Sequence, residues 1–265
     1  MSNSNVKIVV LCQKSLYSEI VIKKLLKIKG VELKGVIFSK ALLSNQSFLK
    51  SILKVIRISG TRFFWAKIFS MIAFDRTMKL PKTVKVIKTP NVNDDKMVKA
   101  IKSLEPDFIL SIFFNQVIKI PLLKIPKEMS LNLHPSYLPT YGGIGPTFWV
   151  LANNEKESGV TWHKIVRKID SGNIIMRQKI IIDEFETVHS LYYRSALIGA
   201  EMIQEIFQNF MKHKKLIEEP QLERNTSYFG LPTKESMKRL SKTKHKLFSI
   251  NEFTKGIHER IFGLW

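Results

Sequence analysis

The order of apolar runs and helical stretches in the first 135 residues predicts an α/β protein built on a doubly wound, mostly parallel sheet. Three observations carry this. Strand-like runs alternate with helical ones. The first run suits a buried strand, and the fourth is apolar enough to be covered on both faces as parallel strands are. A chain of 265 residues, 45% of them hydrophobic, is also long and apolar enough to bury a sizeable core.

Val6 to Leu11 (VKIVVL) suits a buried strand, Ser18 to Lys29 has helical spacing, and Val31 to Phe38 is a second strand-like run. Thr83 to Thr89 alternates as a third strand. Asn93-Asp94-Asp95 supplies helix-start oxygens, and Met97 to Leu104 continues with helical spacing. Asp107 to Phe113 (DFILSIF) is the fourth strand, and another ends near Leu133. In open sheets of this kind ligands bind beyond the carboxyl ends of strands, so the ends of the Phe113 and Leu133 strands are the places to look. The first strand runs into Leu11-Cys12-Gln13 without a Gly-x-Gly-x-x-Gly, which argues against dinucleotide binding. Later come a strand-like Val160 to His163, a polar turn at Asp170-Ser171-Gly172-Asn173, a strand from Ile174 to Ile182, and a long helix from Val188 to about Met211. Residues 1–211 are therefore expected to form the main domain, and residues 212–265 a short basic appendage.

The chain carries 43 Lys and Arg against 22 Asp and Glu, a net charge of +21, which predicts an anionic partner. Nearly half of the excess lies between Lys40 and Lys88, where eleven cations face one acid, Asp75. Lys50, Lys54 and Arg57 share one helical face there, and residues 62–76 are almost wholly apolar between cationic ends. A basic, aromatic-rich helical pair of this kind is what an interfacial membrane segment looks like, so residues 48–76 are a candidate contact with an anionic membrane. The alternative is a surface helix that packs Phe63, Trp65 and Phe69 on the domain. One cysteine, Cys12, excludes a disulfide framework and a Cys-rich zinc site, and no metal is expected. Without a signal-like opening or an apolar run of bilayer length, a cytoplasmic protein is expected, with peripheral attachment to the inner face of the membrane as an option.

The most informative stretch is Ser130 to Pro139 (SLNLHPSYLP). On a strand, Asn132 and His134 face one side and Leu131 and Leu133 the other, and Pro135 ends the run. An amide N–H can stabilise an oxyanion, and an imidazole can move protons near neutral pH, so the pair suits acyl transfer. A structural cap on the Pro-rich turn is the other reading. Thr161 and His163 also share a strand face, in a site or in the core. Asp170 is the carboxylate candidate for orienting His134, although spacing alone does not single it out.

Asn132, His134, Ser136, Leu138 and Pro139 match the pattern Asn-x-His-x-Ser-x-Leu-Pro, and a Gly-Val-Thr strand leads into Asp170-Ser171-Gly172. Here the sequence resembles the 10-formyltetrahydrofolate-dependent formyltransferases: glycinamide ribonucleotide, methionyl-tRNA and amino-sugar enzymes. The resemblance runs from Val6 to about Met211, apart from a helical insert at about 40–80. It implies a formyltransferase-type Rossmann-like fold and catalytic roles for Asn132, His134 and Asp170. It also implies a folate site built from Phe114, Asn115, Gln116, Val117 and Ile118 together with Ile165, Val166 and Lys168. Val117 and Ile118 also suit ordinary strand-exit packing. Ser136, Thr161 and His163 would support the site. In the implied reaction an amine attacks the formyl carbon, Asn132 and protonated His134 stabilise the tetrahedral alkoxide, and tetrahydrofolate leaves. Asp170 would raise the pKa of His134 while desolvation opposes it.

Val166 and Lys168 replace the acidic residue and Gly frequent in that loop, and Tyr141-Gly142-Gly143 lacks the Arg of methionyl-tRNA enzymes. The expected acceptor is the amine of a nucleotide- or lipid-linked amino sugar. Methionyl-tRNA fits less well, because the tail is shorter than the C-terminal barrel of those enzymes. Other small amines, formyltetrahydrofolate hydrolysis and a catalytically silent binding protein complete the alternatives.

Overall fold

The computed structural model describes residues 5–39, 53, 56–61, 63–65, 68–69, 78–222, 226–252 and 254–255. Numbered along the chain, its strands are β1 (Val6–Cys12), β2 (Val31–Ser39), β3 (Lys85–Thr89), β4 (Phe108–Ile112), β5 (Met129–His134), β6 (Gly142–Gly143), β7 (Glu157–Lys164), β8 (Ile174–Ile181) and β9 (Tyr228–Phe229). The helices are α1 (Leu16–Leu25), α2 (Asp95–Lys102), α3 (Ile120–Leu123), α4 (Pro146–Ala152), α5 (Val188–His213) and α6 (Lys234–Leu240). Seven strands form one sheet in the order β3-β2-β1-β4-β5-β7-β8, and β6 pairs with β9 in a separate ribbon. β1 to β5 are parallel; β7 and β8 are antiparallel additions. Strand order reverses between β1 and β4, which places the switch point of the sheet beside the end of β4.

Alternation within the strands explains the two cores. Ile8, Val10 and Cys12 of β1, with Phe108, Leu110 and Ile112 of β4, face the larger core under α1 and α5. Val9, Leu11 and Ile109 face a smaller core with Ile101, Ile118 and Leu122. α5 crosses the larger core: Phe207 and Phe210 meet the Phe108 ring edge-on at 5.3 and 4.9 Å, and the Trp162 indole N–H donates to the Gly199 carbonyl (2.9 Å).

α1 begins at Leu16, two residues before the helical pattern, because the Ser15 hydroxyl accepts from the Ser18 N–H (3.2 Å) and starts the helix earlier. It ends at Leu25, short of Lys29, and Gly30 at φ +84° turns the chain into β2. The sequence pattern assigns nothing to α4, whose seven residues are all buried and so show no amphipathic face. After α5 the chain returns to the main body, where Leu216, Met237 and Leu240 join the larger core.

Most of residues 40–77 lies outside the described residues. Of those described, Phe63 meets the Phe148 ring edge-on at 6.4 Å, and the buried Ser59 hydroxyl donates to the Pro232 carbonyl. Leu53, Trp65 and Phe69 are 65%, 55% and 42% exposed. Among the described residues no helix is long and apolar enough to cross a membrane.

Candidate active site

Register brings the polar strand residues together. Ser111 of β4 lies opposite Asn132 of β5, and its hydroxyl donates to Asn132 Oδ1 (2.7 Å). On the other side β7 sets His163 opposite Asn132 and Thr161 opposite His134. The Asn132 amide donates to His163 Nε2 (3.1 Å), while His163 Nδ1–H donates to the Lys164 carbonyl (3.0 Å). An amide nitrogen carries two hydrogens, so Asn132 keeps a second one for an acceptor at the strand end. Leu131 and Leu133 point into the larger core, which holds β5 in this register.

Asp170 comes from the loop between β7 and β8. Its φ is +52°, and the loop closes through the Lys164 N–H to the Asn173 carbonyl (2.9 Å). Gly172 permits the closure, since a Cβ there would sit 1.9 Å from the Lys164 carbonyl oxygen. Gln221, from the segment after α5, donates to the carbonyls of Asp170 (3.0 Å) and Gly172 (2.6 Å). The result places Asp170 Oδ1 at 3.7 Å from His134 Nδ1 and 3.6 Å from His163 Nε2, while Oδ2 accepts from the Gly143 N–H (2.7 Å). His134 Nε2–H donates to the Tyr141 carbonyl (2.9 Å).

Thr161 and Ser136 do different work. The Thr161 hydroxyl donates to the Ser136 carbonyl (2.7 Å) and accepts from the Leu138 N–H (3.1 Å), and the Ser136 hydroxyl donates to the Thr140 carbonyl (2.9 Å). Both brace the turn that follows His134.

The loop after β4 is tied to the loop before α2. Gln116 accepts from the Val92 N–H (2.8 Å) and donates to the Pro90 carbonyl (3.1 Å), and Asn93 donates to the Val117 carbonyl (2.9 Å). Asn115 accepts from the Ser39 hydroxyl (2.7 Å). Ile118 belongs to the smaller core, and Phe114 and Ile165 pack against that same core. Val117 and Ile169 are 56% and 47% exposed; Lys168 is exposed, and Val166 lies against the turn at Gly172.

Residues 70–206 match the family model described as formyl transferase, just over half of the chain. The chain belongs to the formyl transferase family. Among curated relatives it is 37% identical over 131 residues to the bifunctional polymyxin resistance protein ArnA of Wigglesworthia glossinidia brevipalpis, covering 49% of this chain and 20% of that one. It is 30% identical over 161 residues to a methionyl-tRNA formyltransferase of Caldanaerobacter subterraneus subsp. tengcongensis, covering 60% and 52%. The matched parts thus amount to a fifth and about half of these relatives' lengths. Among solved structures, WlaRD, a sugar 3N-formyl transferase crystallised with dTDP and 5-N-formyl-THF, superposes with a TM-score of 0.56 at 24% identity, over 85% of this chain and 69% of that one. That likeness is one of fold.

In this formyl transferase domain burial decides the charge on the imidazole. Desolvation lowers the His134 pKa, outweighing the pull of Asp170 and the Tyr141 carbonyl toward imidazolium, with His163 adding to the lowering. Burial raises the Asp170 carboxyl, but His134, His163 and the Gly143 N–H together outweigh it and hold the group at about 2. The resting pair at neutral pH is a neutral imidazole beside a carboxylate.

A pH dependence of stability follows. The folded pKa of His134 lies below its ordinary 6.5, so the unfolded chain binds that proton first as pH falls. The stability it contributes is complete above about pH 6.5 and declines below it, by at most about 1.4 kcal/mol per pH unit for one proton. Asp170 adds a second loss as pH drops from its ordinary 3.8 toward about 2. Denaturant unfolding between about pH 7.5 and 5 should show a shallower slope for His134→Gln than for the parent. Equal slopes would assign the dependence to other groups.

The sequence reading did not reach Ser111, Gln221, the Tyr141 carbonyl or the Gly143 N–H. The last two are backbone groups, and their one trace in the sequence is the Gly142-Gly143 pair, a mark of close backbone approach.

Proposed function

We propose that this protein is an N-formyltransferase that moves the formyl group of 10-formyltetrahydrofolate to a primary amine of a nucleotide-linked amino sugar. The observation that carries this is the convergence of the Asn132 amide, the His134 imidazole and the Asp170 carboxylate at the carboxyl end of β5 in a formyl transferase domain. The sugar 3N-formyl transferase with dTDP and 5-N-formyl-THF supports the choice of acceptor and co-substrate. The folate lies against Phe114 to Ile118 and the loop containing Ile165, Val166 and Lys168. Val117 and Ile169 offer exposed apolar surface there, while Gln116 and Ile118 spend their side chains on holding the loop.

The chain's own residues supply three services. The second amide hydrogen of Asn132 meets the oxygen of the formyl group as it becomes an alkoxide. As the bond from amine nitrogen to formyl carbon forms, the nitrogen's proton passes to His134 Nδ1, where Asp170 stabilises it. Breakage of the bond from formyl carbon to N10 then returns that proton to N10 of the leaving tetrahydrofolate. Ser136, Thr161 and His163 hold this arrangement: the first two through the turn after β5, His163 through Asn132.

The test is tetrahydrofolate release, followed by absorbance, with a dTDP-linked 3-amino sugar, a lipid-linked amino sugar, glycinamide ribonucleotide, charged initiator tRNA and water alone. The amino sugar should exceed every other acceptor in kcat/KM by at least about tenfold. A preference for tRNA would replace the acceptor, turnover in water alone would indicate hydrolysis, and no turnover at all would leave a binding protein. Exposed Leu53, Trp65 and Phe69 among the cations of residues 48–76 support attachment to an anionic membrane. Vesicles containing anionic lipid should carry the protein upward in flotation at low salt and release it at high salt; no binding at low salt removes this part.

A further inference from the structure

The segment after α5 is built into the site. β9 lies parallel to β6: the Gly142 N–H donates to the Ser227 carbonyl and the Ile144 N–H to the Phe229 carbonyl, both at 2.8 Å. The Tyr141 N–H donates to the Ser227 hydroxyl (2.8 Å). The Phe229 ring is stacked between two aromatic rings, Tyr141 at 5.1 Å and Trp149 at 4.9 Å, and the Trp149 indole N–H donates to the Gly230 carbonyl (3.0 Å). Contact is so close that a Cβ on Gly143, at φ +96°, would lie 2.1 Å from the Phe229 carbonyl oxygen. Beyond it, α6 anchors the segment through Met237 and Leu240 in the larger core.

Backbone groups alternate in direction along a strand. With the N–H groups of Gly142 and Ile144 turned to β9, that of Gly143 must point the other way, and it meets Asp170. The carbonyl of Tyr141, in the same loop, holds His134.

We propose that the Ser227–Phe229 strap is a positioning device for the reaction: by clamping β6, Phe229 aims the Gly143 N–H and the Tyr141 carbonyl at Asp170 and His134. This rests on the formyl-transfer reading for its consequences in turnover, though not for its effect on the imidazole. The titratable groups facing Asp170 are His134 from β5, His163 from β7 and Tyr228 from β9 itself.

The experiment compares Phe229→Ala and Phe229→Tyr in the full chain, with folding monitored by circular dichroism. Phe229→Ala should lower kcat roughly 10- to 100-fold with the folate KM changed by less than about threefold, because misplacement acts on the chemical step. Its acid limb should move to lower pH, since the Tyr141 carbonyl that favours the His134 imidazolium is lost. Phe229→Tyr keeps the ring and should restore kcat to within about threefold of the parent. Nitrogen-15 spectra of the His134 ring should report loss of the Nε2–H bond to Tyr141 in Phe229→Ala alone. Should that variant fail to fold, Ser227→Ala, which removes a single acceptor from the Tyr141 N–H, should lower kcat by about three- to tenfold with the same limb shift. A folded Phe229→Ala with parental kcat, acid limb and ring-nitrogen shifts would overturn the strap. So would a loss of kcat with an unmoved acid limb and unmoved ring-nitrogen shifts. A shifted His134 ring in a protein that formylates no amine supports the strap and overturns the proposed function instead.

Discussion

Asp170→Asn is expected to reduce kcat for formyl transfer by about a thousandfold or more, with the melting temperature close to that of the parent. The substitution is nearly isosteric, and the Gly143 N–H that now donates to Oδ2 at 2.7 Å can still find an amide oxygen. What disappears is the charge 3.7 Å from His134 Nδ1. Burial already disfavours imidazolium at this site, so without the carboxylate the ring has little to hold the proton it must carry from amine to N10. Because the two residues act as one unit, adding His134→Ala to Asp170→Asn should cost little beyond either change alone. Single-turnover assays with saturating folate and acceptor would check both claims. If folded Asp170→Asn kept more than about a tenth of the parental kcat, the carboxylate would have no place in the proton path.

Asn132→Ala should lower kcat by about 10²- to 10³-fold, the usual consequence of deleting one oxyanion donor, and leave the folate KM nearly unchanged. The amide is held from both sides, by the Ser111 hydroxyl at 2.7 Å and His163 Nε2 at 3.1 Å. Truncation leaves these two groups without their partner, so a loss of about 1–3 kcal/mol in stability should accompany the kinetic effect. Ser111→Ala separates the two. It keeps the donor but frees its orientation, and should cost less in kcat than Asn132→Ala. Parental turnover in Asn132→Ala would show that the alkoxide is stabilised elsewhere.

Asn132 and His134 were legible in the sequence for a simple reason: two polar side chains two positions apart on an otherwise apolar strand declare a common face. The parallel strands were legible in the same way, from runs such as Val6 to Leu11 whose residues serve two cores at once. Asp170 was visible only through the family resemblance, because it lies on an irregular loop 36 residues from His134, where no periodicity applies. α4 went unread since burial all round erases the amphipathic signal. The charge excess was easy to locate between Lys40 and Lys88. Which aromatic rings in that segment pack was not: Phe63 meets Phe148, and Trp65 remains exposed.

Taken by itself, the sequence determined the sheet class, the strand that carries Asn132 and His134, and the kind of chemistry an amide and an imidazole can do together. Those depend on side-chain type and on periodicities of two and 3.6 residues, which are local properties. Only the tertiary structure decided how the imidazole is charged at rest and what holds it. Burial and the pull of Asp170 oppose each other on His134, and their balance depends on how completely water is excluded. The groups that fix Asp170 and His134 in place are a backbone N–H and a backbone carbonyl, presented by a loop that a strand more than 80 residues away clamps in position. Every residue has such groups, so their identity as part of the site comes from contact across the fold.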